Sequence, residues 1–184
     1  MEKTILYFEK PGEANTDATL AIARARAEAL GIRQVVVAST HGFSAKRAQA
    51  AFEGLDAAII AVSICASFDE EGWTMRDEER AELQQLGIKV LTTTHTLGDD
   101  VSTAFSPSVP SMIVRETLYT FCQGMKVAVE IALMAADAGL LRMNEEVIAI
   151  AGTGDGADTA IVLQPAYSRK FQSLRIREIL AKPR

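Results

Sequence analysis

The chain has 184 residues, 48% of them hydrophobic, with a formal net charge of −5 and a pI near 5.1. This composition predicts one globular domain, residues 1–184, large enough to bury roughly 70% of the surface of its unfolded chain. The acidic balance argues against a nucleic-acid partner, and the lack of a long apolar run argues against a membrane span or a signal peptide.

Strand and helix patterns alternate through the first half of the chain. Apolar, β-branched runs predict strands at residues 4–9, 34–39, 57–64 and 88–92. Helix patterns that each end at a glycine lie between them, at residues 16–30, 44–53 and 74–86. This order predicts parallel βαβ units. The expected fold class is a three-layer α/β/α sandwich with a mostly parallel sheet and an antiparallel strand at one side.

The second half begins with a long polar connection, residues 93–110, of the kind that is usually functional or mobile. Two helices are predicted to meet at Gly124, at residues 111–123 and 125–138. A glycine-rich stretch then separates two strand patterns within residues 146–163. Because a dinucleotide fingerprint must open a helix, this segment predicts a hairpin and not a Rossmann motif. We expect the second to fourth strands to be neighbours, the hairpin to lie on their other side, and residues 174–181 to add an edge strand.

The junction at residues 35–51 combines a strand, a polar turn and the start of a helix. A helix N-terminus leaves backbone N–H groups without partners and carries partial positive charge, so a phosphate is a natural ligand there. Ser and Thr in this turn are equally suited to capping the helix, and that alternative stays open. The candidate phosphate-binding residues are Ser39, Thr40, His41, Gly42, Phe43, Ser44 and Ala45.

Further candidates lie in the turns that follow the first four predicted strands. Ligands of parallel α/β sheets bind beyond the carboxyl ends of the strands, and both histidines, His41 and His95, fall in these turns. Either imidazole could contact a ligand or transfer a proton, or could be solvated in its loop. Tyr7, Phe43 and Trp73 are candidates to flank a flat ring, or to anchor the core and loops.

These motifs together resemble one protein family. A strand followed by [ST]xxGxSA at a helix start, with a distal strand–glycine loop–strand unit, is similar to the C-terminal α/β domain of pyruvate kinase. The closer resemblance is to the stand-alone archaeal and bacterial form of that domain. Its members share YFxKPGxxNTxxTL, MKVAVEIALMAADAG and GADTAIVLQPA, which stand here at residues 7–20, 125–139 and 156–166.

The resemblance implies flavin mononucleotide (FMN) as the bound phosphate ligand, with no pyruvate kinase catalytic site and no settled reaction. It also implies a loop that closes over the ligand, formed by Gly152, Thr153, Gly154, Gly156, Ala157, Asp158 and Thr159. This loop lacks the arginines and tryptophan of the pyruvate kinase loop. Since a second phosphate needs cations, a monophosphate is favoured over a sugar bisphosphate.

Three functions are open on the sequence. The first is an FMN-binding protein, either an oxidoreductase or a flavin carrier. The second is a phosphoryl-transfer or phospho-sugar enzyme, and the third is a metabolite-sensing regulatory module without catalysis. Phosphoryl transfer usually uses Mg²⁺, carboxylates and a cationic clamp. The acidic candidates for such a site have no lysine at a spacing that would indicate a cationic clamp. These candidates are Asp99, Asp100, Asp155 and Asp158.

The two cysteines, Cys65 and Cys122, are far apart in the sequence and lack the spacing of a metal site. They predict reduced thiols in a cytoplasmic protein, and no metal is expected. The expected partner is a small phosphate-bearing molecule, and association into a homo-oligomer stays open.

Overall fold

The computed structural model describes residues 2–98 and 110–184. The strands are β1 (Leu6–Phe8), β2 (Gln34–Ala38), β3 (Ala58–Ser63), β4 (Lys89–Thr92), β5 (Val147–Ala151), β6 (Thr159–Gln164) and β7 (Arg175–Pro183). The helices are α1 (Thr16–Leu30), α2 (Phe43–Ala51), α3 (Asp77–Gln85), α4 (Pro110–Tyr119) and α5 (Gln123–Asp137). The predicted mixed α/β fold is confirmed.

The described strands form a seven-stranded sheet in the order β1-β7-β6-β5-β2-β3-β4. Within this sheet only β6 runs against the others, because it is antiparallel to both β5 and β7 and the remaining pairs are parallel. The predicted neighbours β2, β3 and β4 and the β5–β6 hairpin are therefore confirmed.

The prediction of an edge strand near the C-terminus was wrong in its position. β7 is internal, and the short strand β1 takes the edge by pairing with residues 181–183 of β7. Arg175, Arg177 and Glu178 suggested an edge, but they lie in the first half of β7, whereas Leu180 and Ala181 in its second half are buried. The second half is covered because β1 lies beside it.

Two apolar clusters cover the two faces of the sheet. The cluster under α1 and α2 contains Val35, Val37 and Ile150, and the cluster under α5 contains Val36 and Ala149. Neighbouring residues of a strand point to opposite faces, so an uninterrupted apolar run is what a strand between two helix layers requires. The predicted three layers are present. Among the described helices, none is long and apolar enough to cross a membrane.

The start of α5 differs from the prediction. The chain breaks between α4 and α5 at residues 120–122, and Gly124 lies within the first turn of α5. A Cβ at Gly124 would collide with Thr159 Oγ1, so the glycine allows close packing and does not end a helix. Cys122 Sγ accepts a hydrogen bond from Met125 N at 3.3 Å and caps the helix. The N-terminus of α5 is thereby held against the start of β6.

Candidate functional site

A cavity of about 380 Å³ opens at the carboxyl edge of the parallel strands. This volume is within the range of roughly 300–1,000 Å³ that is typical of small-molecule sites. Its walls come from the turns after β2, β3, β4 and β5 and from α5. The predicted site residues that line it are Ser39, Thr40, His41, Phe43, Ser44, His95, Gly152, Gly154 and Gly156.

The start of α2 borders this cavity. Gly42 precedes the helix with a φ of 89°, a left-handed conformation that favours glycine. Ala45 N donates a hydrogen bond to Ser39 Oγ at 3.2 Å, so Ser39 has the capping role that the sequence left open. The other amides of the first turn, those of Gly42, Phe43 and Ser44, have no acceptor within the helix. The helix therefore presents neutral N–H donors and the positive end of its dipole beside the cavity.

Ser44 is the buried polar side chain at this position. It is 4% exposed and lines the cavity, and its hydroxyl has no hydrogen-bond partner among the described residues. No fully buried side-chain N or O atom among the described residues lacks a hydrogen-bond partner, so the unpaired hydroxyl of Ser44 is accessible from the cavity. A hydroxyl left open beside helix amides is an arrangement that an anion could complete.

His41 is held at the cavity by the start of α3. Its Nδ1 lies 3.0 Å from Glu79 Oε2, and Arg76 donates to the same carboxylate from its backbone at 2.9 Å and from its guanidinium at 2.6 Å. Burial raises the pKa of Glu79, but the hydrogen bonds from Arg76 and His41 outweigh it and lower the pKa to about 2. The ionised carboxylate fixes the orientation of the imidazole.

His95 lies beside an aromatic wall that follows β3. Its ring centroid is 5.8 Å from that of Phe68, and Phe68 stacks on Trp73 with centroids 5.7 Å apart and an interplanar angle of 12°. His95 Nδ1 also lies 3.9 Å from Cys65 Sγ. Because aromatic faces pack well on flat apolar rings, this wall is suited to a ring system. Tyr7, the third predicted aromatic, does not line the cavity.

The glycine-rich loop after β5 is anchored within the protein. Asp158 is fully buried and accepts hydrogen bonds from Gly12 N at 2.9 Å, Thr153 N at 3.2 Å and Thr159 Oγ1 at 2.8 Å. Its carboxylate therefore ties the loop to the N-terminal segment and to β6. The predicted site residues that do not line the cavity are Gly42, Ala45, Thr153, Ala157, Asp158 and Thr159.

The sequence interpretation missed the wall that α5 contributes. Lys126 and Glu130 both line the cavity at 3% exposure, with Lys126 Nζ 2.5 Å from Glu130 Oε2. Glu130 Oε1 accepts a hydrogen bond from Leu97 N at 3.0 Å. The signal was a lysine and a glutamate four residues apart in an otherwise apolar helix. Ile131 and Met134 are buried and also line this wall.

The acidic candidates do not form a metal site in the part of the chain described. Asp155 lines the cavity, and Asp158 is occupied by the loop contacts above. Asp99 and Asp100 lie outside the described residues. Over residues 2–98 and 110–184, no group of three or more His, Cys, Asp or Glu side chains could hold a metal ion.

Comparison with known proteins adds a weak likeness of fold. No protein-family model matches the sequence. A pyruvate kinase structure from Cryptosporidium parvum is similar at 12% sequence identity and a TM-score of 0.43. The match covers 82% of this chain and 23% of that chain.

Proposed function

We propose that the chain is a stand-alone form of the pyruvate kinase C-terminal domain and that its cavity binds FMN, making it a flavoprotein. The phosphate would bind at the start of α2, and the flavin ring would lie toward the aromatic wall. The observation that carries this proposal is Ser44, a residue only 4% exposed whose hydroxyl is accessible from the cavity and has no partner among the described residues. It adjoins first-turn amides that are also open to an acceptor.

The charges around the cavity favour a single phosphate. The donors at the start of α2 are neutral, and the helix dipole supplies only a partial positive charge. Glu13 and Asp155 line the same cavity and would repel a second phosphate. These features support a monophosphate ligand and give no support to a sugar bisphosphate.

The aromatic and apolar part of the cavity wall supports a planar ring. Phe68 and Trp73 provide stacked aromatic surface, and Ile131 and Met134 add apolar surface from α5. A ligand that has a phosphate at one end and an aromatic ring at the other matches both ends. FMN has this composition.

Titration of the purified protein with FMN and with riboflavin tests the proposal. FMN should bind more tightly, because riboflavin lacks the phosphate. Ser44→Asp should lower FMN affinity at least 100-fold, about 2.7 kcal/mol, since a fixed carboxylate would compete with the phosphate for the same donors. Folding should survive, because an acidic side chain is favourable in the first turn of a helix.

Lys46→Gln is the matched control. It changes the net charge by the same amount on the same helix, but Lys46 pairs with Glu82 at 3.1 Å and does not line the cavity. FMN affinity should stay within about threefold of wild type. Equal wild-type affinity for FMN and riboflavin would refute phosphate recognition, and an absorbance spectrum without a flavin band after FMN loading would refute the proposal as a whole.

A further inference from the structure

The buried ion pair on α5 is unexplained by phosphate binding. Lys126 and Glu130 are both 3% exposed, and their neighbours along the cavity wall are Val127, Ile131 and Met134. Removing two charges from water is costly, and a buried ion pair contributes little net stability compared with apolar residues of similar size. An ion pair in an apolar cavity wall therefore suggests a role toward a ligand.

The position of α5 determines where its two charged residues are attached relative to the cavity opening. Gly124 packs against Thr159, which pairs with Ala151 at the carboxyl end of β5. The helix thus starts at the edge of the sheet where the cavity opens. Lys126 follows within the first turn, and Glu130 lies one turn further along the helix. Lys126 is therefore attached to the helix one turn nearer the opening than Glu130, and both side chains line the cavity.

The carboxylate of Glu130 is fully engaged on the inner side. Its Oε1 accepts from Leu97 N and its Oε2 accepts from Lys126 Nζ. Lys126 Nζ also lies 5.9 Å from the centroid of the Tyr119 ring, which lines the cavity as well. The contacts with Glu130 and Tyr119 help to hold the ammonium group in place, and the carboxylate of Glu130 accepts from two donors.

The helix α2, at whose start the phosphate is proposed to bind, and the helix α5, which carries Lys126, lie on opposite faces of the sheet. Residues of α2 pack in the cluster with α1, and residues of α5 pack in the cluster on the other face. The cavity spans the edge between them. A ligand whose phosphate lies at the start of α2 would therefore extend its ring toward α5.

We propose that Lys126 binds the pyrimidine end of the flavin ring and stabilises the negative charge of reduced FMN, with Glu130 as its positioning residue. This inference rests on the proposed FMN binding. Reduction adds two electrons and one proton at the ring atom N5, and it leaves a negative charge shared by N1 and the C2 oxygen. A cation beside these atoms favours the reduced form over the oxidised form.

The test compares reduction potentials of bound FMN in the double variant Lys126→Met/Glu130→Gln and in Glu130→Gln alone, with dithionite as reductant. Removing both charges avoids leaving a buried carboxylate without its partner. Relative to Glu130→Gln, the double variant should shift the equilibrium between oxidised and reduced FMN at least tenfold toward the oxidised form. For a two-electron couple this corresponds to a reduction potential that is about 30 mV lower. Lys126→Arg, which keeps the charge, should stay within threefold of wild type.

Lys182→Met is the matched control, since Lys182 lies 5.2 Å from the Tyr7 ring centroid and does not line the cavity. It should leave the potential unchanged. Because the ammonium group is assigned to the ring, the double variant should weaken FMN and riboflavin binding by the same factor. Loss of FMN affinity alone would assign Lys126 to the phosphate and overturn the inference.

An unchanged potential in a folded double variant that binds FMN would overturn the inference and leave the proposed function standing. Circular dichroism and thermal unfolding establish the fold. If the double variant does not fold, Lys126→Gln/Glu130→Gln, which also removes both charges, provides the measurement, and an unchanged potential there overturns the inference equally. Failure of the wild type to bind FMN overturns both proposals.

Discussion

Two glycine-containing turns follow neighbouring parallel strands, and they use their polar groups in opposite ways. The turn at residues 39–45, after β2, has one internal hydrogen bond to the helix start, from Ala45 N to Ser39 Oγ. The loop at residues 152–158, after β5, is hydrogen-bonded to the N-terminal part of the chain. The buried carboxylate of Asp158 accepts from Gly12 N, and Ala157 N donates to Thr16 Oγ1. We call them the open turn and the anchored loop.

The difference shows why glycine content alone does not identify a ligand-binding loop. In the anchored loop, Gly152 and Gly156 allow close packing, because a Cβ on either would lie 2.6 Å or less from neighbouring atoms. In the open turn, first-turn amides and the Ser44 hydroxyl are left for an external acceptor. Binding capacity therefore depends on which donors the protein leaves unused.

The largest expected effect is on stability, from removing the carboxylate that anchors the loop. Asp158→Ala would leave two part-buried amides, those of Gly12 and Thr153, without an acceptor and would remove the carboxylate to which the buried Thr159 hydroxyl donates. The free energy of unfolding, measured with urea, should fall by about 3–5 kcal/mol. Asp155→Ala, at an exposed position in the same loop, is the control and should change it by less than about 0.5 kcal/mol. Similar losses in both variants would mean that the loop is not anchored by Asp158.

The second prediction concerns Glu79, a residue of α3 whose carboxylate lies 3.0 Å from His41 Nδ1 in the open turn. Because its pKa is lowered from 4.5 to about 2, Glu79 stabilises the folded state above about pH 4.5, and this contribution is lost as the pH falls through about 2. The contribution is at most about 3 kcal/mol at neutral pH. The difference in unfolding free energy between wild type and Glu79→Gln should therefore shrink by about half between pH 6 and pH 3.

Glu82→Gln, on the same helix, provides the control for this pH series. Glu82 pairs with Lys46 across exposed surface, and such pairs contribute less than about 1 kcal/mol. A difference between wild type and Glu79→Gln that stays constant from pH 6 to pH 3 would contradict the assigned role of Glu79.

The third prediction separates backbone strain from packing within the anchored loop. Gly154 and Gly156 have nearly equal φ angles of 70° and 71°, but only at Gly156 would a Cβ collide, at 2.5 Å from Glu13 Cα. Both alanine variants carry the strain of a left-handed conformation, about 1 kcal/mol. In urea unfolding, Gly156→Ala should lower the free energy of unfolding by about 1–2 kcal/mol more than Gly154→Ala does. Equal losses would mean that the loop does not pack on the segment at Glu13.

The fold was predictable because its signals are local. Apolar runs such as the one at β3 and glycine stops such as Gly31 mark strands and helix ends through short-range geometry. The prediction failed at β7, whose place inside the sheet depends on pairing with β1, about 170 residues away in the sequence. It also failed at Gly124, whose close contact with Thr159 is visible only after folding.

The candidate site was predictable in part for the same reason. The open turn was recognised since strand, polar turn and helix start are contiguous. The sequence did not reveal that Asp158 would turn inward toward Gly12, because that contact joins residues 146 positions apart. The burial of Glu130 at the cavity was also not predictable, since helix periodicity does not identify a polar residue that lines a cavity.

The smallest expected effect concerns the aromatic wall formed by Phe68 and Trp73. Trp73 is 51% exposed and stacks on Phe68, so it can be shortened without opening the core. Trp73→Leu should weaken FMN and riboflavin equally, by about threefold to tenfold or 0.7–1.4 kcal/mol, because it removes ring contact and leaves the phosphate donors intact. Phe121→Leu is a matched control, at 49% exposure and outside the cavity lining, and should not change either affinity. Weaker FMN binding with unchanged riboflavin binding would mean that the wall acts at the phosphate end, and the division of the cavity into two ends would be wrong.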